Sequence, residues 1–423
     1  MELSLLFGLF VVFIFLGIHI PSAMLFSSIV SILTFGIPPI ISAERMLNSI
    51  NSFPLLAVPF FILAGNIMNQ GGLTKRLVDA SRAFVGHYHG GTAQVNVVAN
   101  IILAGISGSA AADCAAIGST LIPAMRKEGY DAGFAAGLTA AASTIGPVIP
   151  PSIGLIVYAS LTELSVGRLF LAGIVPGFMM GLALIAYVRL VAPRRGYPRS
   201  ERLPWRKRAP VLFYALPALL APIILVGGIV TGLYTATEGG VVTCVYGLVV
   251  GLLFYKDLKI VDLPQLLTDA VQLTAIPLFI LACASVFGFL LSVYGFGDLL
   301  LGLVHTFSPS PTVFLIVLVG FLLLIGCFVE GMAAMVIFVP VLMPLISELA
   351  LDPIHVALIV HIAILVGTLT PPVGMMLFIA ASIAKIPIYD VEVWPFALVI
   401  TIVIILMVFF PPLTTFLPTL IMG

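Results

Sequence analysis

Charge is scarce in this chain. Lys and Arg number 18 against 18 Asp and Glu, together 9% of 423 residues, and the formal net charge is zero. Such a balance offers no electrostatic basis for gripping nucleic acid. Cysteine is as thin. Cys114, Cys244, Cys283 and Cys327 are scattered through apolar segments, with neither metal-ligand spacing nor a disulfide framework. What fills the chain is apolar: 61% of residues are hydrophobic, and mean hydropathy is +1.24. No soluble domain has this composition. Only helices satisfy their own backbones within lipid over such long runs, so the expected fold is an all-α polytopic membrane protein. The first run follows Met1-Glu2 with no basic n-region or A-x-A site, and reads as a retained helix.

One stretch occurs twice. Ala57-Val58-Pro59-Phe60-Phe61-Ile62-Leu63-Ala64 returns as Ala275-Ile276-Pro277-Leu278-Phe279-Ile280-Leu281-Ala282. Further on, Gly105, Pro123, Gly146, Pro150 and Pro151 are matched by Gly326, Pro344, Gly367, Pro371 and Pro372, every pair 221 positions apart. A duplicated, helix-broken membrane protein has the architecture of a secondary transporter.

Candidate crossings in the first half are 3–20, 22–41, 54–70, 131–163 and 168–192. In the second they are 211–233, 237–254, 272–294, 354–384 and 393–420. Two further apolar stretches, 92–125 and 312–347, read as re-entrant hairpins. The domains expected are therefore a first repeat (1–192), a basic linker (193–209) and a second repeat (210–423).

The charges agree with this topology. The linker carries Arg194, Arg195, Arg199, Arg202, Arg206, Lys207 and Arg208 against one acid, Glu201. Positive-inside bias places it in the cytoplasm. Tracing outward, all basic residues but Arg45 and Arg168 fall on the cytoplasmic side, and both termini fall outside. An odd number of crossings per half makes the repeats inverted. Gln94–Ala104 forms a helix of about 16 Å, too short for a core of about 30 Å. Arg126-Lys127 closes the first hairpin on the side it entered. Ser308-Pro309-Ser310-Pro311 and Glu348–Pro353 flank the second without a Lys or Arg.

The helices break at four places. The first hairpin turns at Ser107-Gly108-Ser109-Ala110-Ala111-Ala112-Asp113 and the second at Gly326-Cys327-Phe328-Val329-Glu330-Gly331. The crossings open at Thr144–Ser152 and at Gly367–Gly374, where consecutive prolines remove donors and clash with the preceding turn. Open backbone at membrane depth is tolerated where it lines a cavity. Its carbonyls suit Na⁺, and half-helix N-termini suit an anion. Two cation sites are expected, each joining a tip to a break: Ser107, Ser109, Gly146, Val148 and Pro150 in one, Gly326, Cys327, Gly367, Thr370 and Pro371 in the other. The substrate would lie between, against Ser107, Gly108, Ser109, Thr144, Ser152, Thr368 and Thr370. Asp113 and Glu330 are the acids expected at membrane depth, as supports for tip or cation. His19 and His361 read as structural. Ala43–Ser52, Asp262–Val271 and Leu73–Val85 read as interfacial amphipathic helices bracing a scaffold.

At Ser107–Asp113, Ile149-Pro150-Pro151-Ser152, Gly367–Gly374 and Thr235-Ala236-Thr237-Glu238-Gly239-Gly240, the chain resembles the large membrane subunit of a TRAP (tripartite ATP-independent periplasmic) transporter. The resemblance covers essentially the whole chain. It implies a Na⁺-coupled importer of an organic acid (sialic acid, a C4-dicarboxylate or a similar carboxylate) in a bacterial inner membrane, with both termini periplasmic. It also implies an ion-transporter-like fold with an elevator mechanism, a separate four-helix small membrane subunit and a periplasmic substrate-binding protein. Neither break contains a basic residue, so no carboxylate clamp is visible.

Three rivals were weighed. Tyr130-Asp131 and Gly295-Phe296-Gly297-Asp298 mimic the aspartates of an intramembrane GxGD protease, but are expected on opposite sides of the membrane, and such a dyad must share one site. A channel would need a repeated filter or charged ring. A stand-alone divalent-anion symporter coupled to Na⁺ or H⁺ would work without a binding protein.

Overall fold

A computed structural model describes residues 2–199, 204–307 and 310–423. Glu201 and Arg202 of the basic linker, and Ser308-Pro309 beside the second hairpin, lie outside the described residues. The described residues are all helix and connection, with no strand. In the first half the helices are α1 (Glu2–Phe15), α2 (Ile20–Thr34), α3 (Ile40–Ile50), α4 (Ala57–Gln70), α5 (Leu73–Val85), α6 (Gly91–Ser107), α7 (Ala110–Lys127), α8 (Ala132–Ser143), α9 (Ile153–Thr162) and α10 (Val166–Val191). In the second they are α11 (Trp205–Val230), α12 (Ala236–Val249), α13 (Leu263–Val293), α14 (Phe296–Phe307), α15 (Pro311–Gly326), α16 (Gly331–Glu348), α17 (Pro353–Gly367), α18 (Met375–Ala384), α19 (Trp394–Phe409) and α20 (Pro412–Met422).

The second half follows the element order of the first, with α3 matched by the start of α13 and α10 by the pair α19–α20. The packing repeats too, with partners exchanged between halves. α2 lies on α13 as α12 lies on α4, and α7 lies on α18 as α16 lies on α9. The hairpins are α6–α7 and α15–α16. The broken crossings are α8–α9 and α17–α18, and both Pro150-Pro151 and Pro371-Pro372 are cis.

The centre is made of the two segments that precede the breaks. Every residue from Phe134 to Ser143 and from His355 to Gly367 is buried. A helix apolar all round belongs inside, and the small residues of α8 allow close backbone approach: Gly137 sits against the Glu392 carbonyl. At the rim, α11 turns Phe213, Tyr214, Leu220 and Ile223 outward.

Several boundaries differ from the sequence reading. The expected crossings 3–20 and 22–41 end at Phe15 and Thr34, because Gly17 turns at positive φ and Pro38-Pro39 start the next helix. The crossing 393–420 is two helices bent by 61°, since Pro411-Pro412 interrupt the ladder. Asp262–Val271 is no separate element but the start of α13, which runs on to Val293. Its counterpart α3 is bent away from α4 by 63°. The cause is local: Pro54 disfavours helix at the residue before it, and Gln272 stands at the matching place. Helix α14 falls where no element was expected. Among the described residues, five helices are long and apolar enough to cross a bilayer singly, rising to seven with the bent pairs. Helix α16 is one of them, so packing rather than length identifies it as a hairpin arm.

Candidate functional site

Each hairpin tip is seated in the break of its own half. At the first tip, α6 ends at Ser107, Gly108 takes a left-handed φ of +63°, and Ser109 caps α7 by accepting from the Ala112 N–H. Gly108 is needed twice over, since a Cβ there would come 2.5 Å from the Pro151 carbonyl oxygen. The Ser107 hydroxyl donates to Asp113 Oδ1. Asp113 is fully buried, and its Oδ2 has no hydrogen-bond partner among the described residues. That oxygen lies against Gly146, where a Cβ would approach it to 2.1 Å.

The second tip closes more tightly. A Cβ on Gly326 would meet the Gly367 Cα at 2.7 Å, and one on Gly367 would meet the Gly326 Cα at 2.5 Å. Cys327 Sγ lies 2.7 Å from Thr370 Oγ1, and the Cys327 carbonyl accepts from Val373 at 3.3 Å. Glu330 caps α16, its Oε2 accepting from Met332 at 2.9 Å and Ala333 at 3.0 Å.

Between tips and breaks lies a cavity of about 580 Å³, lined from both halves. Of the expected residues, Ser107, Gly108, Ser109, Asp113, Glu330 and Thr368 line it. The rest surround the breaks. Thr144 and Thr370 spend their hydroxyls on the Ala141 and Gly367 carbonyls, 2.7 and 2.8 Å away. Ser152 donates to the Pro147 carbonyl and accepts from Leu155 at 3.1 Å. The Val148 carbonyl points at Gly173 of α10. Pro150 and Pro371 sit within the two cis Pro-Pro turns.

Among the described residues, four polar lining groups lie outside the expected set. Asn66 and Asn69 come from α4 and Thr74 from α5. His361, read as structural, reaches from α17 to the first break: Nε2 is 2.8 Å from the Pro147 carbonyl. A carbonyl only accepts, so Nε2 carries the proton. The ring turns its Cε1 edge to Gly154, where a Cβ would come 2.3 Å from that carbon, and Nδ1 has no partner among the described residues. The signal for the cavity wall was present in the sequence: Ile62, Ile276, Pro277 and Ile280 of the duplicated stretch all line it.

A model of the tripartite ATP-independent periplasmic transporter, DctM component, matches residues 7–413. The chain belongs to this family of TRAP large permeases. It is 35% identical to the sialic acid TRAP transporter large permease protein SiaM of Vibrio cholerae, over 90% of each chain. It is 36% identical to the C4-dicarboxylate TRAP transporter large permease protein DctM of Pseudomonas aeruginosa, over 89% of this chain and 88% of that one. Its fold resembles the YdaH transporter of Alcanivorax borkumensis, with a TM-score of 0.63 at 15% identity, covering 86% of each chain.

As a TRAP permease the protein is a multi-pass membrane transporter and not an enzyme. The two aspartates of the protease reading are not brought together. Asp131 accepts from the Tyr197 hydroxyl at 2.7 Å and lies 3.5 Å from Arg195 Nη1. Asp298 begins α14, which packs on α13 and α16. Arg195 also holds Glu392 at 2.8 Å, tying the segment after α10 to the start of α8 and the approach to α19. Burial raises the Tyr197 phenol above its ordinary pKa.

Proposed function

We propose that this permease is the membrane-embedded carrier of a Na⁺-coupled organic-acid importer of the bacterial inner membrane. It would accept its substrate from a periplasmic binding protein and be braced by a small membrane subunit. Sialic acid, a C4-dicarboxylate or another carboxylate is the cargo class that the relatives' names suggest. The observation that carries the reading is the seating of each tip in its own break around one shared cavity. Asp113 Oδ2 supports a cation beside Gly146: a buried, unpaired carboxylate oxygen is costly, and a bound Na⁺ offsets that cost. Ser107 and Ser109 are the other ligands proposed there, with the Gly146 and Pro150 carbonyls. Gly326, Cys327, Gly367, Thr370 and Pro371 surround the second proposed cation position. The hairpins and broken helices would move as one body against α3, α4 and α13, carrying the cavity across the membrane as an elevator.

The test is uptake into proteoliposomes holding the permease and its small subunit, with the binding protein outside. Accumulation that requires an inward Na⁺ gradient supports the reading. Accumulation by this chain alone, without binding protein, supports a stand-alone symporter instead. Conductance without coupling removes both.

A further inference from the structure

The cavity is unevenly furnished. Its unengaged donors lie on the first half, where Asn66 Nδ2 and Thr74 Oγ1 are buried without a partner among the described residues. Ser109, at the start of α7, also lines the cavity. The second half presents Leu273 and Ile276 from α13, Met332 and Met335 from α16, and Met375 and Met376 from α18. Its polar lining groups leave no free donor among the described residues, since His361 Nδ1 is an acceptor once Nε2 holds the proton. Glu330 caps α16, Thr368 donates to the Leu365 carbonyl at 2.7 Å, and His361 holds Pro147. No Lys or Arg lines the cavity among the described residues.

We infer that the permease carries a monocarboxylate with an apolar body, such as an aryl or branched-chain acid, its carboxylate toward Asn66, Thr74 and Ser109 and its body on the methionine wall. The inference rests on the carrier reading above and narrows its cargo. A second carboxylate or a polyol would be pressed against thioethers and aliphatic carbons, losing water without gaining a partner. Methionine fills irregular gaps and repacks readily, so four of them suit bodies of varied shape. The polar and apolar sides together orient the molecule, as ligand pockets commonly do with few polar groups.

The test is equilibrium binding to the purified full chain in lipid nanodiscs with saturating NaCl, comparing phenylacetate and 4-methylpentanoate with succinate and sialic acid. The expected result is at least tenfold tighter binding of the apolar acids. Leu273→Gln and Met375→Gln, both partly exposed on the cavity wall, should each weaken the apolar acids at least fivefold while leaving the Na⁺-induced rise in melting temperature intact. Tighter binding of succinate or sialic acid overturns this inference and leaves the carrier reading standing. So does an apolar-acid affinity unchanged in both variants, which marks partition into lipid. If no acid of either kind binds, the carrier reading falls with it.

Discussion

His361 and Pro147 belong to different halves of the duplication, 214 positions apart, and are joined by a hydrogen bond of 2.8 Å. The imidazole of one broken helix thereby holds the open backbone of the other. Its counterpart by the 221-residue repeat is Ala140, so this link exists once and the two breaks are not equivalent. Replacing His361 with Ala removes a buried donor and leaves Ser152 alone on that carbonyl. Stability should fall by about 1–3 kcal/mol, read as a lower melting temperature. Gln, which retains an N–H, should recover part of the loss.

The contact between Gly326 and Gly367 predicts a sharp local intolerance. Ala at either site places a methyl group 2.5–2.7 Å from a backbone Cα. Tip and break must then separate, at an overpacking cost of about 1–3 kcal/mol. Na⁺-dependent uptake should drop at least tenfold. Gly320→Ala, on the same hairpin with nothing within 4 Å of the new methyl, should leave uptake near that of the parent.

Asp113 can be separated from its role as a structural acceptor. Asn keeps the size and can still accept from Ser107, but loses the charge proposed to face a cation. In the parent, NaCl in place of choline chloride should stabilise the protein by RT ln(1 + [L]/Kd), about 2.7 kcal/mol at one hundred times Kd. In Asp113→Asn the Na⁺-specific increment should shrink by at least half. An undiminished increment would remove Asp113 from the cation site.

Glu330 is expected to act as a helix cap. Its Oε2 takes two N–H groups at the start of α16, worth about 1 kcal/mol for a good capping residue. Ser, which caps without charge, should retain stability and most uptake, while Ala should lower both. Loss of uptake with normal stability in Glu330→Ser would assign the carboxylate a direct part in ion binding.

Arg195 and Glu392 form a partly exposed pair in which Nη1 alone donates to both carboxylate oxygens, at 2.8 and 3.1 Å. A double-mutant cycle with Arg195→Gln and Glu392→Gln should give a coupling of about 0.5–1 kcal/mol in stability, shrinking at high salt.

Glycine and proline made the tips and breaks legible, because they fix backbone conformation within a few residues. Ser107–Asp113, Thr144–Ser152 and Gly367–Gly374 could be read as open backbone with no knowledge of their neighbours. Ends set by similar residues were legible too, yet Pro38, Pro39, Pro411 and Pro412 were passed over where hydropathy ran on through them. What could not be read was which side of an ordinary helix meets the cavity. Nothing near Asn66, Asn69 or His361 in the sequence distinguishes them from polar residues that glue helices together. Their positions depend on packing between segments some 200 residues apart. The hydroxyls of Thr144, Ser152 and Thr370 turn to backbone carbonyls at the breaks for a related reason. Deep in lipid a hydroxyl near a helix end satisfies the nearest carbonyl first.

The exchanged packing of α7 on α18 and α16 on α9 makes the halves depend on each other. Neither copy owns a complete carrier, because each hairpin rests its inner arm on a helix contributed by the other. Fragments cut within the basic linker would have to find one another before either could close a tip onto supported ground. A change on one face of a hairpin is felt by a helix two hundred residues away in the sequence. The two halves differ in what they touch, as His361 and the methionine wall show, and share how they interlock.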